Sequence, residues 1–250
     1  MTNRIEKFSL FSIKGGVGKS TIAYFLAKKL SEKYKVLLVD RDYTNTIGRI
    51  FGLKTGLINV LVDKVEGKYL VQEGNLRVLT LLSILPTKLP DMKEFVEMYS
   101  NALKDIEVVI TDNPPGMDEI TALETEGYHI ATGDSSCNAI FVTTPGLAFD
   151  ITLSHLSDTC ESLLNSVSYP SNASIKALVV NMVRTRLEMD RIPVNGKEIK
   201  VIQIPFIKEL LFNGFANSSV TPDLTELVRL VEDKMVEARR TESFETTIPQ

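Results

Sequence analysis

The sequence predicts an α/β fold in which a mostly parallel central sheet is flanked by helices on both faces. Three observations lead there. Strand-length apolar runs alternate with longer stretches of helical period, the chain order of a parallel sheet whose crossovers are helices. Several of those runs are continuously apolar, as strands buried on both faces must be. A glycine-rich turn, "KGGVGKST", stands between the first run and the first helical stretch.

The strands are read in order as "KFSLFSI", "KVLLVD", "LRVLTLL", "VVITD", "AIFVTT", "IKALVVN" and "IKVIQI". Between the first two, "TIAYFLAKKLSEKY" sets Ile22, Phe25, Leu26 and Leu30 on one stripe of a helix. "PDMKEFVEMYSNALKD" repeats the device with Met92, Phe95, Val96, Tyr99 and Leu103. A last helix opens at Pro222 and Asp223 and carries Leu224, Leu227, Val228, Val231 and Met235 at helical spacing. Residues 56–104 are otherwise placed by position and pattern alone.

With 250 residues, 44% of them hydrophobic, the chain can bury one sizeable core. We read residues 1–238 as a single domain and 239–250 as a polar, flexible tail. No repeat or low-complexity linker argues for a second domain. The formal net charge of -4 excludes a protein coated in positive charge, though not a local basic patch. Cys137 and Cys160 stand apart, with no CxxC, and are read as buried thiols. No run approaches a membrane span, and a cytoplasmic location, with or without nucleoid association, is the expectation.

The glycine-rich turn departs from the strict GxxxxGK[ST] pattern, because Ile13 stands where its first glycine would be. The remainder is present as Gly18, Lys19 and Ser20, between a strand and a helix. In that setting the backbone N–H groups of Gly15, Gly16, Val17 and Gly18 and the start of the helix at Lys19, Ser20 and Thr21 converge on an anion. Lys19 then reaches the β- and γ-phosphates, and the Ser20 hydroxyl faces Mg²⁺. Lys14 is a second cation on the same loop.

Two further strand exits end in carboxylates. "KVLLVDRD" carries Asp40 and Asp42, which alternation sends to the same side. "VVITDNPPG" carries Asp112, followed by a stiff Pro114–Pro115 exit. Ligands of open α/β sheets bind at such strand ends.

The KGGxGK[ST] loop, the paired aspartates and the D-x-P-P exit together resemble the ParA/MinD family of deviant Walker A P-loop ATPases, over nearly the full chain. That resemblance implies a P-loop NTPase fold, ATP and Mg²⁺ as ligands, and a homodimer formed on ATP binding. It implies Lys14 as a group reaching the partner subunit's phosphates in trans. Asp40 and Asp112 fall near the metal beside Ser20, and Asp42 beside the attacking water. Asn181 would read adenine, with Pro205 and Phe206 as a second wall, while Thr143, Thr144 and Pro145 resemble a strand end lying beside the nucleotide. Where the family commonly has Pro-Gln after the second aspartate, this chain has Tyr43 and Thr44.

Within the family, the expectation is a slow ATPase of the ParA type, acting in DNA partition or cargo positioning with an adaptor protein that stimulates hydrolysis. Nonspecific DNA binding would fall to Arg184, Arg186, Arg191, Lys197 and Lys200, which outnumber the interleaved acids Glu188, Asp190 and Glu198. The lack of CxxC leads to the expectation that no iron–sulfur cluster is a partner. The C-terminal "EARRTESFETTIPQ" lacks the basic amphipathic face of a membrane anchor, so membrane binding is not expected. The alternatives are a MinD-like, membrane-associated positioning ATPase and a P-loop transferase or synthetase acting on a small substrate. A regulatory module that holds nucleotide without turnover is the other class. His129 and His155 are given no chemical role.

Overall fold

The computed structural model describes residues 4–165, 167 and 172–245. The elements follow in order as β1 (Glu6–Phe11), α1 (Lys19–Ser31), β2 (Val36–Asp40), α2 (Thr46–Ile50), α3 (Leu57–Asp63), β3 (Leu70–Glu73), β4 (Leu76–Thr80), α4 (Met92–Leu103), β5 (Val108–Asp112) and α5 (Glu119–Thr132). They continue with β6 (Ser136–Thr143), α6 (Leu147–Asn165), β7 (Asn172–Val183), β8 (Arg191–Val194), β9 (Lys197–Pro205), α7 (Lys208–Asn213) and α8 (Thr225–Glu245).

The strands form one sheet in the order β3-β4-β2-β5-β1-β6-β7-β9-β8. The pairings from β4 through to β9 are parallel, and only the two edges, β3 on β4 and β8 on β9, are antiparallel. Each edge strand is a hairpin arm. Gly74 and Asn75 turn β3 into β4, and Asn195-Gly196, with φ of 49° and 74°, turns β8 into β9. An Asn-Gly pair at positive φ matches the right-handed strand twist that such a two-residue turn demands. Neither edge strand was expected from the apolar runs.

Alternation divides the core. Phe8, Leu10, Val36, Leu38 and Ile110 face α1 and α8, where they meet Ile22, Leu26, Leu30, Leu227 and Val231. Leu37, Val39 and Val109 face the other way, against Phe95, Tyr99, Leu123 and Tyr128 of α4 and α5. The helical stripes expected for α1, α4 and α8 are the faces that pack. Asp91 opens α4 by accepting hydrogen bonds from the N–H groups of Lys93 (2.9 Å) and Glu94 (3.2 Å), satisfying donors that the first turn leaves without a helical partner.

Helix α8 continues to Glu245, past residue 238 where the sequence reading started a flexible tail. "MVEARRTESFE" has no Gly or Pro to stop it, and Arg239 ties it to Glu107 Oε1 at 2.9 Å. Residues 246–250 of that reading lie outside the described residues. Among the described residues, no helix is long and apolar enough to cross a membrane.

This topology positions the site. β5 lies between β2 and β1, with Asp112 in register with Asp40 on one side and Leu10 on the other. Two carboxylates from distant parts of the sequence therefore end side by side, next to the loop that leaves β1.

Candidate functional site

The loop after β1 folds over the start of α1 because two of its glycines adopt left-handed backbone, Gly16 at φ 75° and Gly18 at φ 85°. Gly18 also has a neighbour that forbids a side chain: a Cβ there would fall 2.2 Å from Asn181 Nδ2. The amide of Asn181 donates to the Val17 carbonyl at 2.9 Å, so the end of β7 clasps the loop from the side.

Lys19, the first residue of α1, is buried, and its Nζ lies 2.5 Å from Asp112 Oδ1. The other carboxylate oxygen of Asp112 is buried with no hydrogen-bond partner among the described residues. Asp40 beside it is fully buried too. Its Oδ2 accepts from the N–H groups of Ile47 (2.9 Å) and Gly48 (3.0 Å), and its Oδ1 from that of Asp42 (3.2 Å). Burial first, then the adjacent Asp112 carboxylate, push the Asp40 carboxyl up to about 7. The backbone N–H groups work against that rise.

This donor set fits a divalent cation. It offers an unpaired buried carboxylate oxygen and a second carboxylate whose charge is disfavoured only while no positive charge stands near it. No group of three or more His, Cys, Asp or Glu that could cage a metal occurs among the described residues. An ion here would complete its shell with water and phosphate, the habit of Mg²⁺.

The turn after Asp40 is held by residues that the sequence reading passed over. Asn45, at φ 50°, donates to the Leu53 carbonyl at 2.9 Å and accepts from Thr80 Oγ1 at 3.1 Å. Gly48 lets α2 close onto that pair, since a Cβ there would meet Asn45 Oδ1 at 2.0 Å and Thr80 Oγ1 at 2.1 Å. Asp42 then faces the cleft half-buried, with the Thr44 N–H donating to it at 2.9 Å.

The cleft itself measures about 330 Å³ and is lined by Gly15, Gly16, Val17, Gly18, Lys19, Ser20, Thr21, Asp42, Asn181, Pro205 and Phe206. The sequence reading assigned each of these to the site, from four separate parts of the chain. It missed Pro115, Met182, Leu210, Leu211 and Pro222, which complete the apolar wall. Met182 sits at φ 59°, beside a register shift in β7. Thr143 does not reach the cleft; its hydroxyl accepts from Thr152 at 3.0 Å in the core. Lys14 is half-buried, outside the lining, and makes no hydrogen bond or ion pair among the described residues.

The five basic residues expected to bind DNA do not gather into one free patch. Arg186 pairs with Asp190 at 3.7 Å and Lys200 with Glu226 at 2.8 Å. Arg184 lies over the Phe206 ring at 5.0 Å, at the mouth of the cleft. Arg191 and Lys197 stand exposed on the β8–β9 hairpin. Cys137 is buried within β6, where burial raises its thiol pKa. The Cys160 side chain lies outside the described residues.

Comparison with known proteins agrees with this geometry. The model of the CobQ/CobB/MinD/ParA nucleotide-binding domain matches residues 8–214. An iron–sulfur cluster carrier protein of Rickettsia typhi is 30% identical over 208 residues, covering 79% of this chain and 58% of its own length. The chain thus spans little more than half of that relative. Among solved structures, a ParA family ATPase from Chlorobium tepidum aligns with TM-score 0.53 at 18% identity, over 86% of this chain and 90% of that one. MinD of Pyrococcus horikoshii, complexed with Mg-ADP, aligns with TM-score 0.52 at 23% identity over 85% of each chain. Both likenesses are of fold.

One expectation is overturned. The Rickettsia relative is named for carrying iron–sulfur clusters, so the missing CxxC does not exclude a cluster from the partners of this protein. Cluster ligands need only meet in space and can come from separate parts of a chain or from two chains, so a short CxxC motif is not required. The glycine loop, the two strand-end aspartates and the match over most of its length place the chain in the CobQ/CobB/MinD/ParA nucleotide-binding domain family.

Proposed function

We propose that the protein is an ATP-driven switch that binds MgATP in this cleft, pairs with a second copy over the triphosphates and hydrolyses them slowly. One observation carries the reading: Lys19 is held on Asp112 at 2.5 Å while the second oxygen of Asp112 stays buried and unpaired. A triphosphate entering the loop offers Lys19 a better partner. Its release frees Asp112, with Ser20 and Asp40, to hold Mg²⁺. When bound there, Mg²⁺ would supply positive charge to the triphosphate.

The chain's own groups do the remainder. The loop N–H groups and the start of α1 bind the phosphates. Asp42, on the cleft wall, orients a water toward the γ-phosphate. Lys14 has no partner among the described residues and is free to reach the second subunit's phosphates, so each subunit lends charge that the other lacks until they dock.

The test is binding of a fluorescent ATP analogue with and without Mg²⁺, phosphate release, and mass by light scattering. Mg²⁺-dependent binding, slow release and a doubled mass with ATP but not ADP are expected. Absence of binding would sink the reading.

A second reading concerns what the switch moves. Identity of 30% over 208 residues with a named iron–sulfur cluster carrier favours cluster delivery as the output. Anaerobic reconstitution with ferrous iron and sulfide tests it. An absorbance band near the visible that is passed to an apo-acceptor protein supports it, and a colourless protein counts against it. A ParA-type partition output has less to rest on, since the five basic residues do not gather into one patch: Lys200 is paired with Glu226 and Arg184 lies over the Phe206 ring.

A further inference from the structure

Arg41 lies in sequence between Asp40, buried at the end of β2, and Asp42 on the cleft wall. Asp40 sits beside Asp112 and Asp42 on the cleft wall, and the side chain between them turns the other way, toward α5 and β5. There the guanidinium is fully buried. Its Nη1 donates to Glu124 Oε2 at 2.7 Å and to the Thr121 carbonyl at 3.4 Å, both on α5, and its Nη2 donates to Thr111 Oγ1 of β5 at 2.9 Å. Its backbone N–H donates to the Asp112 carbonyl at 3.0 Å. The peptide joining Asp40 to Asp42 is therefore pinned from both its backbone and its side chain.

Glu124 is the centre of this arrangement. It also receives Lys7 Nζ of β1 at 2.6 Å and a short hydrogen bond from the Tyr99 hydroxyl of α4. Burial alone would raise its carboxyl, yet Lys7 and Arg41 hold it below the ordinary value. One carboxylate thus binds β1, β2, α4 and α5 together behind the phosphate loop and both aspartates. A buried guanidinium costs several kcal/mol of desolvation, and apolar side chains often fill such a place with equal or better stability. Stability alone does not account for it. What a fork of charge-assisted bonds adds is a fixed position.

We propose that Arg41 is a positioning residue for hydrolysis, anchoring the Asp40–Asp42 peptide to Glu124 so that Asp42 is held in place for the attacking water. This rests on the ATPase reading above. The Arg41 side chain touches neither the glycine loop nor Lys19; its link to them is the backbone N–H bond to the Asp112 carbonyl, which replacing the side chain leaves in place, and the Asp40 carboxylate is held separately by the Ile47 and Gly48 N–H groups, so the strut acts on turnover and spares affinity.

The experiment compares Arg41→Met, Arg41→Lys, Glu124→Gln and the Arg41→Met/Glu124→Gln pair in the full chain. It measures melting temperature, the Kd of a fluorescent non-hydrolysable ATP analogue, KM and kcat. Arg41→Met leaves Glu124 with Lys7 and Tyr99, and is expected to fold. We expect Kd and KM within about twofold of the parent and kcat lower by about 10²-fold, the scale of an ångström's misplacement. Glu124→Gln falls in the same direction, the double variant is no worse than Arg41→Met because the two act as one unit, and Arg41→Lys recovers part of kcat. Folded Arg41→Met with parental kcat overturns the proposal, and so does a loss of Kd and KM in step with kcat. Should Arg41→Met not fold, Glu124→Gln and Arg41→Lys decide on the same criteria. Failure of the parent to release phosphate overturns the ATPase reading and this proposal together, whereas release that the variants leave intact overturns this proposal alone.

Discussion

The ammonium of Lys19 sits 2.5 Å from the carboxylate of Asp112, across the join between α1 and the end of β5. Both groups are buried, and each is the other's charge partner until a nucleotide competes. A loop lysine held in this way neutralises a carboxylate that would otherwise be buried without a counter-charge. It also makes phosphate binding an exchange of ion pairs, in which the protein need not uncover a bare charge.

Lys14→Ala is expected to keep its affinity for ATP and lose most of its turnover. Lys14 lies outside the cleft lining, so ground-state binding does not depend on it. A cation supplied in trans to phosphoryl transfer contributes about 10³- to 10⁵-fold in rate. Phosphate release at saturating ATP, beside a binding titration, checks this; parental turnover would end the trans role.

Asp42→Ala is expected to bind ATP and stay dimeric. The residue reaches the cleft wall without contributing to the Lys19–Asp112 pair or to the Asp40 carboxylate's acceptor bonds other than through its own backbone N–H. Light scattering should show a doubled mass that persists for hours with ATP and is absent with ADP. A variant that returns to single copies as fast as the parent would remove Asp42 from hydrolysis.

Gly18→Ala is expected to lower stability by about 1–3 kcal/mol, because a residue with a Cβ is strained at φ 85°. The new methyl would also collide with the Asn181 amide. Removing that amide with Asn181→Ala should recover part of the loss and leave the backbone strain. Denaturant unfolding of the three variants measures it; full recovery in the double variant would show that strain is not a contributor.

In the metal-free protein, stability is expected to fall as pH rises toward and through about 7. The Asp40 carboxyl is raised from 3.8 to about 7 in the folded state, by burial and then by Asp112. The folded protein therefore holds a proton there that the unfolded chain gives up, and folding is favoured by acid across that window. Melting in EDTA should drop from about pH 6 to about pH 8, with the drop abolished in Asp40→Asn. A melting temperature that does not fall over this range, or falls equally in Asp40→Asn, would show the carboxyl already ionised.

Local pattern alone determined the continuous apolar runs of β2 and β5, the packing stripes of α1 and α4, and the phosphate loop with its strand-end aspartates. Those features depend on periodicities and residue types that near neighbours in the chain already express. The edge strands β3 and β8 were missed because their runs are short and half exposed, and what marks them is turn chemistry at Gly74 and Asn195-Gly196. Arg41 is the clearest case of what only the folded chain could decide. In "DRD" it reads as part of a solvated strand exit, yet it is buried because Glu124, far along the sequence, arrives on α5 to meet it. The same holds for Lys200, whose charge is met by Glu226 of α8. Whether a charged side chain is buried, paired or free depends on partners that topology brings from elsewhere, and no local window of sequence contains them.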